Sequence, residues 1–248
     1  MADKHYYEQR AFASSYLVPY LRLHLPELAH MRILEVGCGE GGLIAVLHEQ
    51  GVEAVGLELS PARVAIAREK NPLLRVHVGD ITDPNCNEVV GGDFDLVVMR
   101  DVMEHIVERA AAMRNVRAVL RQGGFFYVSF PPKYSAFAGH QQVGRSFLRF
   151  LPFVHLLPAI LVRILGRIGK EHGHQIESIL GHGRHGLTIA AFERLCRAQG
   201  FRPVVRELFL VRPIHRMRLG LRPLRAPDLP VVREWLATGY EALWQRSD

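Results

Sequence analysis

The sequence predicts a doubly wound α/β fold with a mostly parallel sheet and a helical lid insertion. The first observation is alternation: short apolar runs typical of buried strands are separated by segments with helical periodicity. The second is that glycines and polar residues follow these runs at their carboxyl ends, where open parallel sheets bind ligands. The third is size: 248 residues, 48% of them hydrophobic, suffice for one such domain.

The first half of the chain carries the regular pattern. A helix over 6–25, kinked at Pro19 and ended by Pro26, is predicted before the first strand. The predicted strands are 32–36, 54–59, 74–78, 96–99 and 124–129, and the predicted helices among them reach Gln50 or cover 61–70 and 107–120. This order of strands and helices indicates a sheet with helices on both faces.

After 131–132, a pair of prolines, the pattern breaks for roughly 55 residues, which is longer than an ordinary loop. Because residues 131–186 leave the carboxyl end of the fifth strand, we expect them to form a lid over the ligand. The predicted elements beyond it are a helix over 188–199, a strand within 201–211 and a helix over 231–245. The prediction is one domain over 1–248, with a helical cover at 1–30 and a lid at 131–186.

The most informative stretch is the glycine-rich turn after the first strand. Gly37, Gly39 and Gly42 satisfy G-x-G-x-x-G, and glycine lets a backbone turn tightly and approach a ligand closely. The helix that follows directs its unpaired N–H groups at whatever fills the turn. The turn therefore predicts a nucleotide-like ligand.

Glu35, two residues before the first glycine, indicates which ligand this is. A charge buried in an apolar strand is costly unless a cation or a set of donors meets it. A dinucleotide such as NAD would place phosphate here, which the carboxylate would repel. S-adenosylmethionine has no phosphate but carries an ammonium group and a sulfonium centre, so Glu35 favours the methyl donor.

Three further positions agree with this ligand. Glu58 ends the second strand about 20 residues after the turn, where a carboxylate can bind both ribose hydroxyls. Asp80 can accept a hydrogen bond from the adenine amino group, while Ile81 packs on the ring. Arg100 stands at the end of the fourth strand, with Asp101 just beyond it.

This ordered set resembles the class I S-adenosylmethionine-dependent methyltransferases, in particular their small-molecule, quinone-methyltransferase-like branch. Residues 35–41 look like the first motif of the family, and 94–98 followed by 101–106 look like its fourth-strand signature. The resemblance covers about Tyr6 to Phe130. It implies a Rossmann-like methyltransferase fold, S-adenosyl-L-methionine as the cofactor, and cofactor contacts from Glu35, Gly37, Cys38, Gly39, Glu58, Leu59, Asp80, Ile81, Met99 and Arg100.

The acceptor chemistry is less constrained by the sequence. His140 follows the fifth strand closely and is the candidate catalytic residue, as a general base for an acceptor hydroxyl. No metal site is expected, although two alternatives stay open: the histidines at 172, 174, 182 and 185, and the pair Asp101 and Glu104. Whether the acceptor atom is O, N or C is left open.

The apolar segment 150–168 is a candidate surface for contact with a membrane or a second copy of the chain. One helical face is apolar and comprises Ile160, Leu161, Ile164, Leu165 and Ile168. The prolines and arginines of the segment argue against a membrane-spanning helix. Three interpretations remain: a helix packed on the domain, a helix lying on a membrane surface that admits a lipophilic substrate, or a dimer contact. The oligomeric state is not predicted.

The predicted function is methyl transfer from S-adenosylmethionine to a small, lipophilic or aromatic acceptor. The alternatives are a nucleic-acid or protein methyltransferase and a non-catalytic module that binds the cofactor; an NAD-dependent oxidoreductase is disfavoured by Glu35 and Asp80. The net charge of +6 permits nucleic-acid contact without requiring it, and no nucleic-acid partner is expected. Three scattered cysteines and a polar first segment predict a cytoplasmic protein.

Overall fold

The computed structural model describes residues 2–139, 141 and 144–247. Their strands form one sheet of eight, in the order β3-β2-β1-β4-β5-β8-β6-β7. The pairs from β3 to β5 are parallel, and β8, β6 and β7 pair antiparallel at the far side. The predicted doubly wound, mostly parallel α/β fold is confirmed.

The strands lie close to the predicted positions in the first half of the chain. Their bounds are β1 (Arg32–Val36), β2 (Glu53–Glu58), β3 (Arg75–Val78), β4 (Phe94–Arg100), β5 (Leu120–Phe130), β6 (Phe201–Val211), β7 (Leu224–Arg225) and β8 (Gly239–Arg246). The strand order changes direction at β1, between β2 and β4, which is where doubly wound sheets place their ligand.

The helices cover both faces. They are α1 (Ala2–Phe12), α2 (Val18–His24), α3 (Gly42–Glu49), α4 (Pro61–Lys70), α5 (Cys86–Val90), α6 (Arg109–Val119), α7 (Ala159–Ile168), α8 (Gly173–His185), α9 (Ile189–Ala198), α10 (Ile214–Leu219) and α11 (Val232–Leu236). Ser60 caps α4 and Thr188 caps α9, each accepting a hydrogen bond from the backbone N–H three residues on. The sequence predicted both helices.

Two hydrophobic cores lie on opposite faces of the sheet. On one face the helices α1 to α4 pack against strand residues such as Ile33, Val98 and Tyr127. On the other face α5, α6 and α9 pack against residues such as Met99 and Phe126. Because side chains alternate along a strand, neighbouring residues of β4 therefore face different cores.

The N-terminal helix is interrupted by a π-helical turn at Ala13–Leu17, directly before α2. Pro19, where the kink was predicted, has no N–H to donate to the preceding turn, which accounts for a break in the regular helix here. The turn carries Tyr16, whose ring lies partly buried over the sheet.

The predicted helix over 231–245 is wrong. The structure has only the short α11 there, followed by β8, which lies between β5 and β6. Residues from Gly239 to Trp244 are buried on both faces of the sheet. A strand buried on both sides is apolar at most positions and lacks the alternation that separates a strand from a helix in sequence.

The described part of 131–186 forms a small core of its own, in which Leu148, Val154, Val162, Ile179 and Leu180 are buried together. It lies beside the 3-10 turn Met103–His105, and the backbone of Lys133 bonds to that of Leu187. Among the described helices, none is long and apolar enough to cross a membrane.

Candidate functional site

A cavity of about 660 Å³ opens at the carboxyl ends of β1, β2, β3 and β4 and extends to β8. Its volume lies in the range typical of small-molecule sites. Its wall is formed by described residues of α1, the start of α4, the ends of β1 to β5, the segment after β4, the segment around α10, and β8. None of the described residues of 131–186 lines it, so the lid over this cavity stays a prediction.

The glycine turn forms one wall of the cavity and depends on glycine at Gly37. The backbone there has a φ of +70°, and a Cβ would stand 2.3 Å from a methyl carbon of Val102. The N–H groups of Gly37 and Cys38 both donate to the carbonyl of Leu57. These contacts tie the turn to β2 and bring it against the segment that follows β4.

Glu58 lines the cavity and also holds the turn. Its two carboxylate oxygens accept hydrogen bonds from the backbone N–H groups of Gly39 and Ser60, each at 2.9 Å. The sequence predicted a ribose contact at this position. The structure adds that the same carboxylate fixes the end of β2 against the glycine turn.

Helix α1 covers the turn through side chains that the sequence did not single out. Gln9 accepts a hydrogen bond from the N–H of Gly42 at 3.2 Å, and its amide nitrogen donates to the carbonyl of Cys38 at 3.4 Å. His5 lies 3.1 Å from a carboxylate oxygen of Glu40. The helix is thus bonded directly to the turn, and its residues His5, Glu8, Gln9 and Phe12 line the cavity.

Glu35 is buried beneath this cavity and is not among the residues that line it. Burial raises the pKa of its carboxyl to about 8, the positive charge of Arg100 opposes this rise, and the negative charge of Glu58 adds to it. Its Oε2 atom has no hydrogen-bond partner among the described residues. An unsatisfied buried carboxyl at this place suits a cationic ligand group, as the sequence suggested.

The remaining predicted cofactor residues divide into two sets. Leu59, Asp80, Ile81 and Arg100 line the cavity, together with Gly37 and Glu58. Cys38, Gly39 and Met99 do not. Met99 belongs to the core on the opposite face, and Cys38 is buried against Gly56, where burial raises the pKa of its thiol.

The far end of the cavity joins Asp101, which the sequence singled out, to residues that it did not predict. Arg212, between β6 and α10, forms an ion pair with Asp101, whose backbone has a φ of +53°. Arg218 of α10 forms another with Glu8 of α1. A left-handed backbone at a residue other than glycine is uncommon and clusters at functional sites.

Glu241 of β8 completes this end. It is 2% exposed, and its Oε2 accepts hydrogen bonds from the hydroxyls of Tyr16 at 2.8 Å and Tyr127 at 3.2 Å. Burial raises the pKa of this carboxyl to about 7, while the Tyr16 hydrogen bond and the charge of Arg212 oppose the rise. A glutamate within the apolar run 239–244 was the signal that could have identified it.

The candidate residues for catalysis and metal binding lie in different parts of the structure. His140 lies outside the described residues, so its predicted role stays a prediction. Glu104 is buried, and burial together with the charge of Asp101 raises its pKa well above the ordinary value. Among the described residues, no group of three or more histidine, cysteine, aspartate or glutamate side chains could hold a metal ion.

Comparison with known proteins identifies the family. Residues 7–207 match the family model described as a methyltransferase domain. The chain belongs to this methyltransferase family. The match confirms the predicted enzyme class, an S-adenosylmethionine-dependent methyltransferase, and with it the predicted cofactor.

Two relatives with sequence similarity are both called ubiquinone biosynthesis O-methyltransferase. The protein from Pseudomonas aeruginosa is 26% identical to this methyltransferase over 174 residues, which are 65% of this chain and 72% of the relative. The protein from a Methylobacterium species is 33% identical over 104 residues, which are 41% of each chain. Both names describe what the relatives do.

Solved structures resemble the fold of this methyltransferase. An S-adenosylmethionine-dependent methyltransferase from Mesorhizobium loti has a TM-score of 0.57 at 20% identity, with 92% of this chain and 96% of that chain covered. The magnesium protoporphyrin IX methyltransferase of Synechocystis, solved with bound SAH, has a TM-score of 0.54 at 15% identity, with 97% and 84% covered. The likeness supports the Rossmann-like methyltransferase fold.

Proposed function

We propose that this methyltransferase binds S-adenosylmethionine at the β1 to β4 end of the cavity and methylates a small lipophilic or aromatic molecule at the other end. The supporting observation is the cavity itself. One space of about 660 Å³ is lined by the predicted ribose and adenine residues Glu58, Asp80 and Ile81, and also by Arg212 and Glu241 at the far side. It has room for two small reactants side by side.

The residues present fit the cofactor. Glu58 and Asp80 present carboxylates at the mouths of β2 and β3, Ile81 offers an apolar surface, and Glu35 provides an unsatisfied carboxyl below the turn. When bound, S-adenosylmethionine supplies an electrophilic methyl group whose leaving group is a neutral thioether. The protein then has to align the two reactants and exclude water.

A small-molecule acceptor is supported by the size of the cavity and by its apolar wall. Phe12, Val102, Ile106, Val107 and Ile214 provide that wall beside the charged groups. The relatives that carry the name ubiquinone biosynthesis O-methyltransferase point in the same direction. Binding of S-adenosylmethionine by calorimetry, followed by a screen for acceptors that yield S-adenosylhomocysteine, tests the proposal. Absence of cofactor binding by folded protein would contradict it, and turnover on nucleic acid or protein alone would contradict the acceptor class.

The first quantitative prediction concerns Glu58. The variant Glu58→Ala is expected to bind S-adenosylmethionine more weakly by about 1–3 kcal/mol, because it loses charged hydrogen bonds to the ribose and to the turn. Isothermal titration calorimetry measures this loss. The control is Glu53→Ala at the other end of β2, where the carboxylate is exposed and paired with Arg32 and Arg75. An affinity of Glu58→Ala equal to that of the control would place the ribose elsewhere.

A membrane surface is the proposed route of a lipophilic acceptor. Helix α7 buries only Val162 and Gly166. On its predicted apolar face, Leu165 is partly buried against the small core, while the others are exposed: Ile160, Leu161, Ile164 and Ile168. Exposed apolar residues on a contiguous surface mark interaction sites. The exposure of this face argues against the first interpretation of the helix, in which the face packs on the domain.

Charge favours an anionic bilayer as the partner. Residues 144–170 contain five lysines and arginines and no aspartate or glutamate. A second exposed apolar group adjoins them, because Trp235 stacks on Tyr134 with ring centroids 5.0 Å apart and lies 6.1 Å from Phe153. Apolar side chains flanked by cations are typical of segments that lie on anionic lipid surfaces. Contact with the cytoplasmic face of a membrane agrees with the predicted location, which stays a prediction.

Vesicle binding tests this surface. The double variant Ile160→Glu, Ile164→Glu is expected to bind vesicles of phosphatidylglycerol and phosphatidylcholine at least about tenfold more weakly, because it loses two apolar anchors and adds repelled charges. Co-sedimentation measures it, with Leu23→Glu as the control, at a still more exposed leucine of α2. Equal binding of wild type and variant contradicts the proposal. A wild-type dimer that the variant converts to monomer would assign the surface to self-association instead.

A further inference from the structure

We infer that Glu241 is the catalytic proton acceptor of this methyltransferase and that the acceptor reacts through a hydroxyl group. The inference rests on the proposed function, because it assigns chemistry to the far end of the same cavity.

The sheet places Glu241 beside the reacting region. Arg100 of β4 pairs in register with Ser129 of β5, and Ser129 pairs with Glu241 of β8. Paired residues of neighbouring strands point to the same face, so these three side chains form one row, and all three line the cavity. The two ends of the row are about 10 Å apart, since strands are spaced by about 4.8 Å. A substrate lying over Ser129 would reach both.

The hydrogen bonds of Glu241 orient it for a reaction. The hydroxyls of Tyr16 and Tyr127 both donate to Oε2, and none of the described residues donates a hydrogen bond to Oε1. One oxygen is therefore fixed, and the other remains for a group in the cavity. A buried carboxyl held in this way, with a pKa near neutrality, suits a general base at physiological pH.

The charged groups around Glu241 come from every element packed on it. Tyr16 belongs to the π-helical turn and Tyr127 to β5, Asp101 follows β4, and Arg212 follows β6. Glu207 of β6 stands directly opposite Glu241 in register and forms an ion pair with Arg225. The negative charge of Asp101 favours proton uptake by Glu241, and the positive charge of Arg212 limits it.

The cations at this end of the cavity favour a hydroxyl over an amine. Arg100 lies with its guanidinium carbon 5.0 Å from the ring centroid of Phe12, and its charge faces the same row as Glu241. A positive charge here stabilises an oxygen that is losing its proton and repels an ammonium group. Arg212 adds a second guanidinium to the same wall.

The proposed reaction is methyl transfer to the hydroxyl oxygen with Glu241 as the proton acceptor. The hydroxyl oxygen of the acceptor forms a bond to the methyl carbon, the carbon–sulfur bond breaks, and its electron pair stays on sulfur. The hydroxyl proton passes to Oε1 of Glu241. Products are a methyl ether, a neutral thioether and a protonated Glu241, which then releases the proton to solvent.

The test compares Glu241→Gln with wild type on a panel of phenols, catechols, amines and thiols, and follows S-adenosylhomocysteine formation. We expect turnover of hydroxyl acceptors to fall by about 100-fold or more in Glu241→Gln. The affinity for S-adenosylmethionine should stay within about twofold, since Glu241 is remote from the β1 to β3 end. The control is Glu193→Gln, a buried carboxylate of α9 that pairs with Arg206 and Arg233 and does not line the cavity.

A second variant and a spectroscopic readout guard against a merely structural effect. A protonated carboxyl has an infrared C=O band, so the difference between wild type and Glu241→Gln reports the titration of Glu241 without any turnover. In Tyr16→Phe, the loss of a hydrogen bond that favours the ionised form should move this titration to higher pH. The acid limb of the pH–rate profile should move with it.

The outcomes separate cleanly. Loss of turnover with intact cofactor binding, together with the shifted titration, supports the inference. Unchanged turnover in Glu241→Gln overturns the inference. Wild-type protein that methylates only amines or thiols, or that methylates none of the hydroxyl compounds in the panel, also overturns it. If wild type fails to bind S-adenosylmethionine at all, the proposed function itself is contradicted and the inference is overturned with it.

Discussion

Replacement of Glu35 by glutamine is expected to weaken S-adenosylmethionine binding by about 10- to 100-fold, the worth of a lost hydrogen bond to a charged group. The physical reason is the burial of Glu35 next to the turn, with one carboxylate oxygen that no described residue satisfies. A ligand with an ammonium group and a sulfonium centre would meet that need. Glutamine keeps the shape and removes the charge.

The pH dependence of binding follows from the pKa of Glu35. Burial raises that pKa to about 8, so the carboxyl of the empty protein is mostly protonated at neutral pH. A cation stabilises the ionised form, so binding must release a proton. Affinity is therefore expected to rise with pH up to about 8 in wild type and to lose this dependence in Glu35→Gln.

The raised pKa of Glu35 has the opposite effect on the stability of the protein without ligand: its contribution to the free energy of unfolding falls as the pH rises. Because the pKa of Glu35 is higher in the folded protein than in the unfolded chain, the folded state binds more protons between pH 4.5 and about 8. The contribution of this group to the free energy of unfolding therefore falls as the pH rises through that window. Urea unfolding of Glu35→Gln should lack this part of the slope.

Calorimetry in two buffers with different ionisation enthalpies measures the released proton directly. Glu193→Gln serves as the control, since Glu193 is a buried carboxylate of α9 that pairs with Arg206 and Arg233 far from the cavity. Its affinity and pH profile should match wild type. Wild-type binding that is independent of pH and releases no proton would contradict a role for Glu35 beside the cation.

The variant Gly37→Ala is expected to lower the free energy of unfolding by about 2–5 kcal/mol. Two effects combine: the φ of +70° is unfavourable for alanine, and the new Cβ would stand 2.3 Å from a methyl carbon of Val102. Val102 lines the cavity, so its displacement should also weaken cofactor binding. Equilibrium urea unfolding measures the first effect and calorimetry the second.

Gly51→Ala is the matched control for this variant. Gly51 has a φ of +73°, nearly that of Gly37, and a Cβ there meets no atom within 4 Å. It should lose only the backbone contribution, about 1–2 kcal/mol, and keep its cofactor affinity. If the two variants lost equal stability, the close approach of the turn to Val102 would have no energetic consequence.

The residues proposed to bind the cofactor could be found in the sequence because their signals are local. A strand, a glycine turn and a helix follow one another within 18 residues, from Arg32 to Glu49. Glu58 ends β2, and Asp80 and Ile81 come directly after β3. In a parallel sheet the carboxyl ends of strands meet at one edge, so the order of the chain fixes which residues are neighbours. Residues Glu58, Leu59, Asp80, Ile81 and Arg100 do meet around one cavity.

The sequence by itself determined the fold class and the enzyme class, because both depend on short motifs and on the alternation of strands and helices. Only the tertiary structure decided the other end of the cavity, where Glu241 meets Tyr16 across 225 positions of the chain and Arg212 meets Asp101 across 111. Antiparallel pairing inserts β8 between β5 and β6, and no local pattern specifies that insertion. A strand buried on both faces carries no alternation, so both its existence and the role of its one glutamate emerge only once the sheet is assembled.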